Sequence, residues 1–205
     1  MDNLLAQVSS YYTEKIERFG AQPLGVDWNG FDGQVLRFAQ LCKLLLPGSH
    51  FSVTDVGCGY GALLDFLLDN FDAFDYVGID ISEAMVDTAT KMREQHSRSK
   101  FIVGAEPPHP TDYVVASGIF NVKLGADTDM WRAYIESTLE VMNRFSTRGF
   151  AFNCLTGYSD AHKMRADLHY ADPCELFDMC KRRYSRNVAL LHDYDLYEFT
   201  ILVRK

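Results

Sequence analysis

Three glycines at alternating positions, Gly57, Gly59 and Gly61, constrain this chain more than any other feature. A β-branched and apolar run, 51–56, precedes them, and an apolar helix-like stretch follows. Glycine adopts backbone dihedrals that are closed to residues with a Cβ, and it lets a ligand approach the main chain. The pattern predicts the strand, loop and helix of a nucleotide-binding βαβ unit, with the first helical amides directed at the ligand.

The glycine spacing is G-x-G-x-G, whereas the dinucleotide fingerprint reads G-x-G-x-x-G. No third glycine stands in register for a pyrophosphate, because Ala62 follows Gly61. A nicotinamide-dependent oxidoreductase would also need a Tyr-Lys or His constellation, and none is evident. That class is therefore the first alternative rather than the leading prediction.

The loop resembles the cofactor loop of class I S-adenosylmethionine-dependent methyltransferases, which reads Asp/Glu-x-Gly-x-Gly-x-Gly and begins here at Asp55. In that family a second acidic residue ends the next strand and holds the ribose hydroxyls, a place that Asp80 fills. The chain looks like a group of small bacterial methyltransferases without an assigned substrate, through 25–29, 117–121 and 192–194. The resemblance implies S-adenosylmethionine as the cofactor.

Strand-like and helix-like runs alternate from residue 51 onward, which predicts an α/β, doubly wound sheet with helices on both faces. The last two of seven predicted strands, 187–191 and 198–203, are too close for a helical crossover and should be antiparallel. Pro107, Pro108 and Pro110 leave little room for a helix between the third and fourth strands. The resemblance implies a mostly parallel seven-stranded sheet with one antiparallel strand near its C-terminal edge.

Residues 1–48 precede the first core strand and predict two helices joined by an aromatic loop, the second helix stopping at Pro47. We interpret 1–205 as one methyltransferase domain, with 1–48 as an N-terminal helical cap and 49–205 as the Rossmann-like core. In the family such extensions cover the cofactor and help to build the acceptor pocket.

The 28 acidic and 20 basic residues give a net charge of −8, which disfavours nucleic-acid substrates. Five cysteines without a C-x-x-C pair, and six scattered histidines, predict reduced thiols and no metal site. No signal peptide and no bilayer-length apolar run are visible, so we expect a cytoplasmic protein that acts without a membrane partner. The sequence leaves the oligomeric state open.

The resemblance assigns cofactor contacts to several further residues. Gly57 and Gly59 should face the amino-acid and ribose portions, Ile81 and Met85 the adenine, and Ala105 or Glu106 the adenine amino group. A solvated loop carboxylate is the alternative for Glu106. The full predicted cofactor set is Arg37, Asp55, Gly57, Cys58, Gly59, Asp80, Ile81, Met85, Ala105, Glu106 and Ser117.

Arg37 is predicted to pair with the carboxylate of the cofactor's methionine part, because arginine binds carboxylates bidentately. An exposed helix arginine is the alternative for this residue.

Acceptor residues are harder to predict, because methyl transfer from a sulfonium requires that the acceptor be aligned and water excluded, more than it requires a particular side chain. Asn121, after the fourth strand, is expected to orient the acceptor, or else to cap a helix. His169 is the preferred general base if the acceptor is a hydroxyl. Tyr12, Trp28 and Tyr170 are predicted pocket residues, with plain packing as the alternative.

The leading prediction is methyl transfer from S-adenosylmethionine to a small-molecule acceptor, giving S-adenosylhomocysteine. The second alternative is a cofactor-binding scaffold without catalysis, which intact cofactor residues do not exclude.

Overall fold

The computed structural model describes residues 2–28, 30–46 and 48–205. Asn29 and Pro47 lie outside the described residues, and with them the last residue of the 25–29 stretch and the predicted helix stop. Within these ranges the α-helices are α1 (Asp2–Phe19), α2 (Phe31–Cys42), α3 (Ala62–Asn70), α4 (Glu83–Met92), α5 (Thr128–Phe145) and α6 (Pro173–Arg183). Short 3₁₀ helices cover Pro23–Val26 and Ala161–Lys163.

In the part of the chain that the structure describes, seven strands form one sheet, in the spatial order β3-β2-β1-β4-β5-β7-β6. They are β1 (Phe51–Val56), β2 (Phe74–Asp80), β3 (Ser99–Val103), β4 (Thr111–Ala116), β5 (Ser146–Leu155), β6 (Asn187–Leu191) and β7 (Glu198–Arg204). The pairs among β1 to β5 are parallel, whereas β7 runs antiparallel to both β5 and β6. The predicted fold class, with one reversed strand near the C-terminal edge, is confirmed.

The two faces of the sheet carry separate apolar cores. Along β5 the side chains of Phe150 and Phe152 join one core while Ala151 joins the other, because successive residues of a strand point to opposite faces. Buried residues of α5 recur at helical spacing and cover the first face, and the α3 leucines cover the second. Burial of each large apolar side chain in these cores contributes about 1.5–3 kcal/mol to the stability of the fold.

Local signals fix several element ends. The Ser82 hydroxyl accepts a hydrogen bond from the amide of Met85 and caps α4, as its position predicts. Asp172 caps α6, and Pro173 follows at the first helical position. The proline-rich segment 104–110 carries no helix. Among the described residues, no helix is both long and apolar enough to cross a bilayer.

Candidate active site

A cavity of about 860 Å³ lies at the carboxyl ends of β1, β2 and β4, against the N-terminal segment (residues 2–28 and 30–46). The strand order reverses at this point, since β1 lies between β2 and β4. Ligands of open α/β sheets bind in the crevice at such a point. Every site residue predicted from the sequence lines this cavity except His169.

The glycine loop is held by its own amides. The amides of Gly57 and Cys58 both donate to the carbonyl of Ile79, at 2.8 and 3.0 Å. The amide of Gly59 donates to Asp80 at 2.9 Å, and that of Gly61 to the carbonyl of Cys58. These four loop amides are therefore engaged within the protein.

The glycines instead permit close approach. Gly57 and Gly59 have φ of +71° and +54°, in the left-handed region that favours glycine. A Cβ on Gly57 would overlap the Ile119 side chain, and one on Gly59 would lie 3.0 Å from Val26. The loop thus brings bare backbone to the cavity while neighbouring side chains pack directly against it.

Asp80 is a buried carboxylate of the cavity wall, held in place by the protein backbone. Its two carboxylate oxygens accept hydrogen bonds from the amides of Gly59 and Ser82, each at 2.9 Å. Burial raises its pKa, although these backbone donors favour the ionised form. Each oxygen keeps a further lone pair, so the carboxylate can accept two hydroxyl hydrogen bonds from a ribose.

Asp55, at the end of β1, also lines the cavity and is buried. Its carboxylate accepts a hydrogen bond from the Tyr76 hydroxyl at 2.8 Å. Burial raises the pKa of Asp55 to about 7, with the negative charge of nearby Asp80 acting in the same direction. Its charge therefore changes near neutral pH.

The side of the cavity beside Asp80 is suited to an aromatic base. Met85 is buried, Ile81 is half-buried, and Tyr134 of α5 also lines this side. Tyr134 was not predicted, because nothing in its helical spacing separates a cavity residue from a core residue. Ala105 is exposed at the rim.

Glu106 is exposed at the same rim and forms an ion pair with Arg144 at 2.6 Å. That contact fits the alternative of a solvated loop carboxylate.

Ser117 carries the clearest unmet hydrogen-bonding potential. Its hydroxyl oxygen is buried and has no partner among the described residues, yet the residue lines the cavity. Buried polar atoms are rarely left without a partner. An orphaned hydroxyl beside a loop of bare backbone fits a polar ligand such as the amino-acid part of the cofactor.

Asn121 joins the strand ends rather than capping a helix. Its side-chain oxygen accepts a hydrogen bond from the amide of Leu155 at 3.0 Å, and its carbonyl accepts one from the amide of His169. The residue lines the cavity, so its amide nitrogen is the group left for an acceptor.

The prediction for His169 needs correction. Its ring centroid lies 6.5 Å from that of Trp131, and the residue does not line the cavity as the described residues define it. Burial lowers its pKa. Its neighbour Tyr170 does line the cavity, and the Tyr170 hydroxyl accepts a hydrogen bond from the amide of Arg165.

Arg37 lines the cavity, but its guanidinium already has a partner in the protein. Its guanidinium forms a bidentate ion pair with Glu198, with both hydrogen bonds at 2.8 Å. The pair is mostly buried, with side-chain exposures of 12% and 1%. The charge that was expected to meet a ligand carboxylate is therefore already neutralised, and the residue is not an exposed helix arginine either.

Trp28 and Tyr12 contribute aromatic surface from the N-terminal segment. The Arg37 guanidinium carbon lies over the Trp28 ring, 3.9 Å from the ring centroid. The same ring packs against Gly118. Burial raises the pKa of the Tyr12 hydroxyl well above its usual range, so it stays protonated.

Comparison with known proteins gives this arrangement a family. The family model of the methyltransferase domain matches residues 54–144. A curated relative from Mycobacterium tuberculosis (strain ATCC 25618 / H37Rv), named "Putative methyltransferase Rv1506c", is 60% identical over 163 residues. The match covers 80% of this chain and 98% of the relative.

Solved structures share the fold at low sequence identity. Magnesium protoporphyrin IX methyltransferase from Synechocystis with bound SAH has a TM-score of 0.65 and 14% identity, covering 98% of this chain and 99% of that one. DhpI in complex with SAH has a TM-score of 0.67 and 14% identity, covering 100% and 98%. The pyocyanin biosynthetic protein PhzM reaches 0.66 at 17% identity, over 96% of this chain and 61% of that one.

Proposed function

The chain belongs to the methyltransferase family, and from that premise we propose that it moves the methyl group of S-adenosylmethionine to a small organic acceptor. The observation that carries this proposal is the Asp80 carboxylate, held by two backbone amides in the cavity wall one strand after the glycine loop. The oxidoreductase alternative has no comparable support.

The residues of the cavity divide the work of binding. Asp80 accepts the ribose hydroxyls, Ile81 and Met85 enclose the adenine, and Ser117 supplies a hydrogen bond to the amino-acid part. Gly57 and Gly59 present bare backbone to the cavity beside these groups. The bound cofactor supplies a methyl group already activated by its sulfonium, so the protein mainly aligns the acceptor and excludes water.

Two features support a small acceptor. The cavity is bounded by the N-terminal segment on one side and by the segment 155–170 on the other, and closure of this kind suits a ligand that fits inside. The net charge of −8 also disfavours a nucleic-acid acceptor, which needs clustered basic residues. Tyr12, Trp28 and Tyr170 supply aromatic walls, and Asn121 orients the acceptor.

A general base is needed only for an acceptor that carries a proton at the reacting atom. His169 is set back from the cavity, so it would act only through an intervening group. We therefore favour an acceptor whose reacting atom is already deprotonated or neutral with a free lone pair.

Calorimetric titration tests the cofactor assignment. The wild type is expected to bind S-adenosylmethionine and S-adenosylhomocysteine but not NADH. Asp80→Ala should weaken binding by about 2–3 kcal/mol, the loss of charge-assisted hydrogen bonds. Asp87, an exposed carboxylate on α4, provides the matched control, and Asp87→Ala should bind like the wild type. Equal affinity of the two variants would refute the ribose role.

Release of S-adenosylhomocysteine, measured with panels of phenols, carboxylic acids and amines beside a single-stranded oligonucleotide and a peptide, tests the acceptor class. Turnover with the oligonucleotide or the peptide alone would overturn the proposal of a small acceptor.

A further inference from the structure

We propose that Glu198 and Asn153 are positioning residues that hold the segment after β4 against the cofactor loop, with Arg37 as the counter-ion in the same network. This inference rests on the cofactor assignment proposed above. Neither Glu198 nor Asn153 was predicted from the sequence as a site residue.

The contacts form a closed network. The amide of Gly118 donates to the side-chain oxygen of Asn153 at 2.7 Å, and the Asn153 amide nitrogen donates to Glu198 at 2.7 Å. Glu198 pairs with Arg37 through two hydrogen bonds of 2.8 Å. The Arg37 guanidinium covers the Trp28 ring, and that ring lies against Gly118. Five residues from five separate segments thus fix one another.

This contact network fixes the segment 117–119 from two sides. Gly118 has φ of +79°, and a Cβ there would overlap the Trp28 ring, so the indole contacts bare backbone. Its neighbour Ile119 packs against Gly57 of the cofactor loop, where a Cβ would also overlap. The other neighbour, Ser117, carries the orphaned hydroxyl of the cavity. A shift of Gly118 therefore reaches both the loop and the hydroxyl.

The charges of this contact network are balanced. Glu198 and Arg37 form a one-to-one pair, and Asn153 satisfies a second lone pair on Glu198. Breaking a buried pair by removing one partner leaves an uncompensated charge, which disturbs its surroundings strongly. Loss of either charge should therefore move the same segment, and loss of both should cost little more than loss of one.

Calorimetry with two ligands separates positioning from direct contact. The ligands are S-adenosylhomocysteine and 5′-methylthioadenosine, which carries the nucleoside without the amino acid. Glu198→Gln, Asn153→Ala and Arg37→Gln are each expected to weaken binding of both ligands roughly tenfold, and the Glu198→Gln/Arg37→Gln double variant no further. If Arg37 contacted the ligand carboxylate directly, Arg37→Gln would weaken only S-adenosylhomocysteine, and that result would overturn the inference.

Tryptophan fluorescence gives a readout that loss of stability alone does not move. In a Trp131→Phe background, Trp28 is the only indole, and Glu198→Gln should shift its emission to longer wavelength in the folded protein. Arg37→Lys keeps the charge without the planar fork and should recover part of the affinity, which keeps the test usable if Glu198→Gln fails to fold.

Glu136→Gln is the matched control, because Glu136 of α5 pairs with Arg132 of the same helix and with Arg183 of α6, and it does not line the cavity. It should leave both affinities and the emission unchanged. If the wild type binds neither S-adenosylmethionine nor S-adenosylhomocysteine, the proposed function fails. If the wild type binds and Glu198→Gln binds equally well, only the positioning role fails.

Discussion

The raised pKa of Asp55 makes the stability of the protein depend on pH in a definite direction. Burial raises this pKa from an ordinary 3.8 to about 7. Between these values the folded protein holds a proton that the unfolded chain has released. Stability from this group is therefore full below about pH 4, falls as the pH rises toward 7, and is lost above it.

The magnitude follows from the same numbers. One pH unit across this range is worth about 1.36 kcal/mol for a single proton, so the free energy of unfolding should fall by about 3 kcal/mol between pH 5 and pH 8. The Asp55→Asn variant keeps the acceptor for the Tyr76 hydroxyl but cannot ionise. It should therefore lack this part of the slope.

Urea unfolding without ligand, at pH 5, 6, 7 and 8, measures the effect as the difference between wild type and Asp55→Asn. Subtraction removes the other titrating groups, among them Asp80, whose raised pKa acts in the same direction, and His169, whose lowered pKa opposes it. The free energy of unfolding of Asp55→Asn should increase relative to that of the wild type as the pH rises. A difference that stays constant, or that grows toward low pH, would refute the assignment.

Two further predictions concern the cavity walls. Gly118→Ala should destabilise the fold by about 1–3 kcal/mol, because the added methyl overlaps the Trp28 ring at a left-handed φ; thermal unfolding measures this, and an unchanged melting temperature would contradict the packing. Glu106→Gln should leave the affinity for S-adenosylhomocysteine within twofold of wild type by calorimetry, since its carboxylate already pairs with Arg144 at an exposed rim; a larger loss would favour the adenine contact.

Most of the fold could be predicted because its signals are local. Alternating runs gave the parallel sheet, and the short connection before 198–203 gave the reversed strand. The sequence predicts the fifth strand over 150–155, but β5 begins four residues earlier, because α5 ends at Phe145 and β5 begins at Ser146 without a loop. Its first residues include the exposed, polar Thr147 and Arg148, which do not look like a buried strand.

The two ends of the cavity also differ in how far the sequence predicts them. The cofactor end consists of a glycine loop and a strand-end carboxylate within 26 positions of one another, Asp55 to Asp80, so a motif can represent it. The other end depends on long-range contacts, such as that of Asn153 with Glu198, which lie 45 residues apart. The one signal available was a polar residue inside an apolar strand, and it gives no partner.

The charges of the cavity wall connect these observations to turnover. The buried side chains that line it include three carboxylates, Asp55, Asp80 and Glu198, against the mostly buried guanidinium of Arg37. Since Arg37 neutralises Glu198, the other two carboxylates leave the cavity negative once Asp55 ionises near pH 7. A net cation such as S-adenosylmethionine is then held more strongly than the net-neutral S-adenosylhomocysteine. Methyl transfer would thus itself weaken retention of the product, and this preference should become smaller, with Asp80 as the remaining uncompensated carboxylate, in Asp55→Asn and in the wild type below the pKa of Asp55.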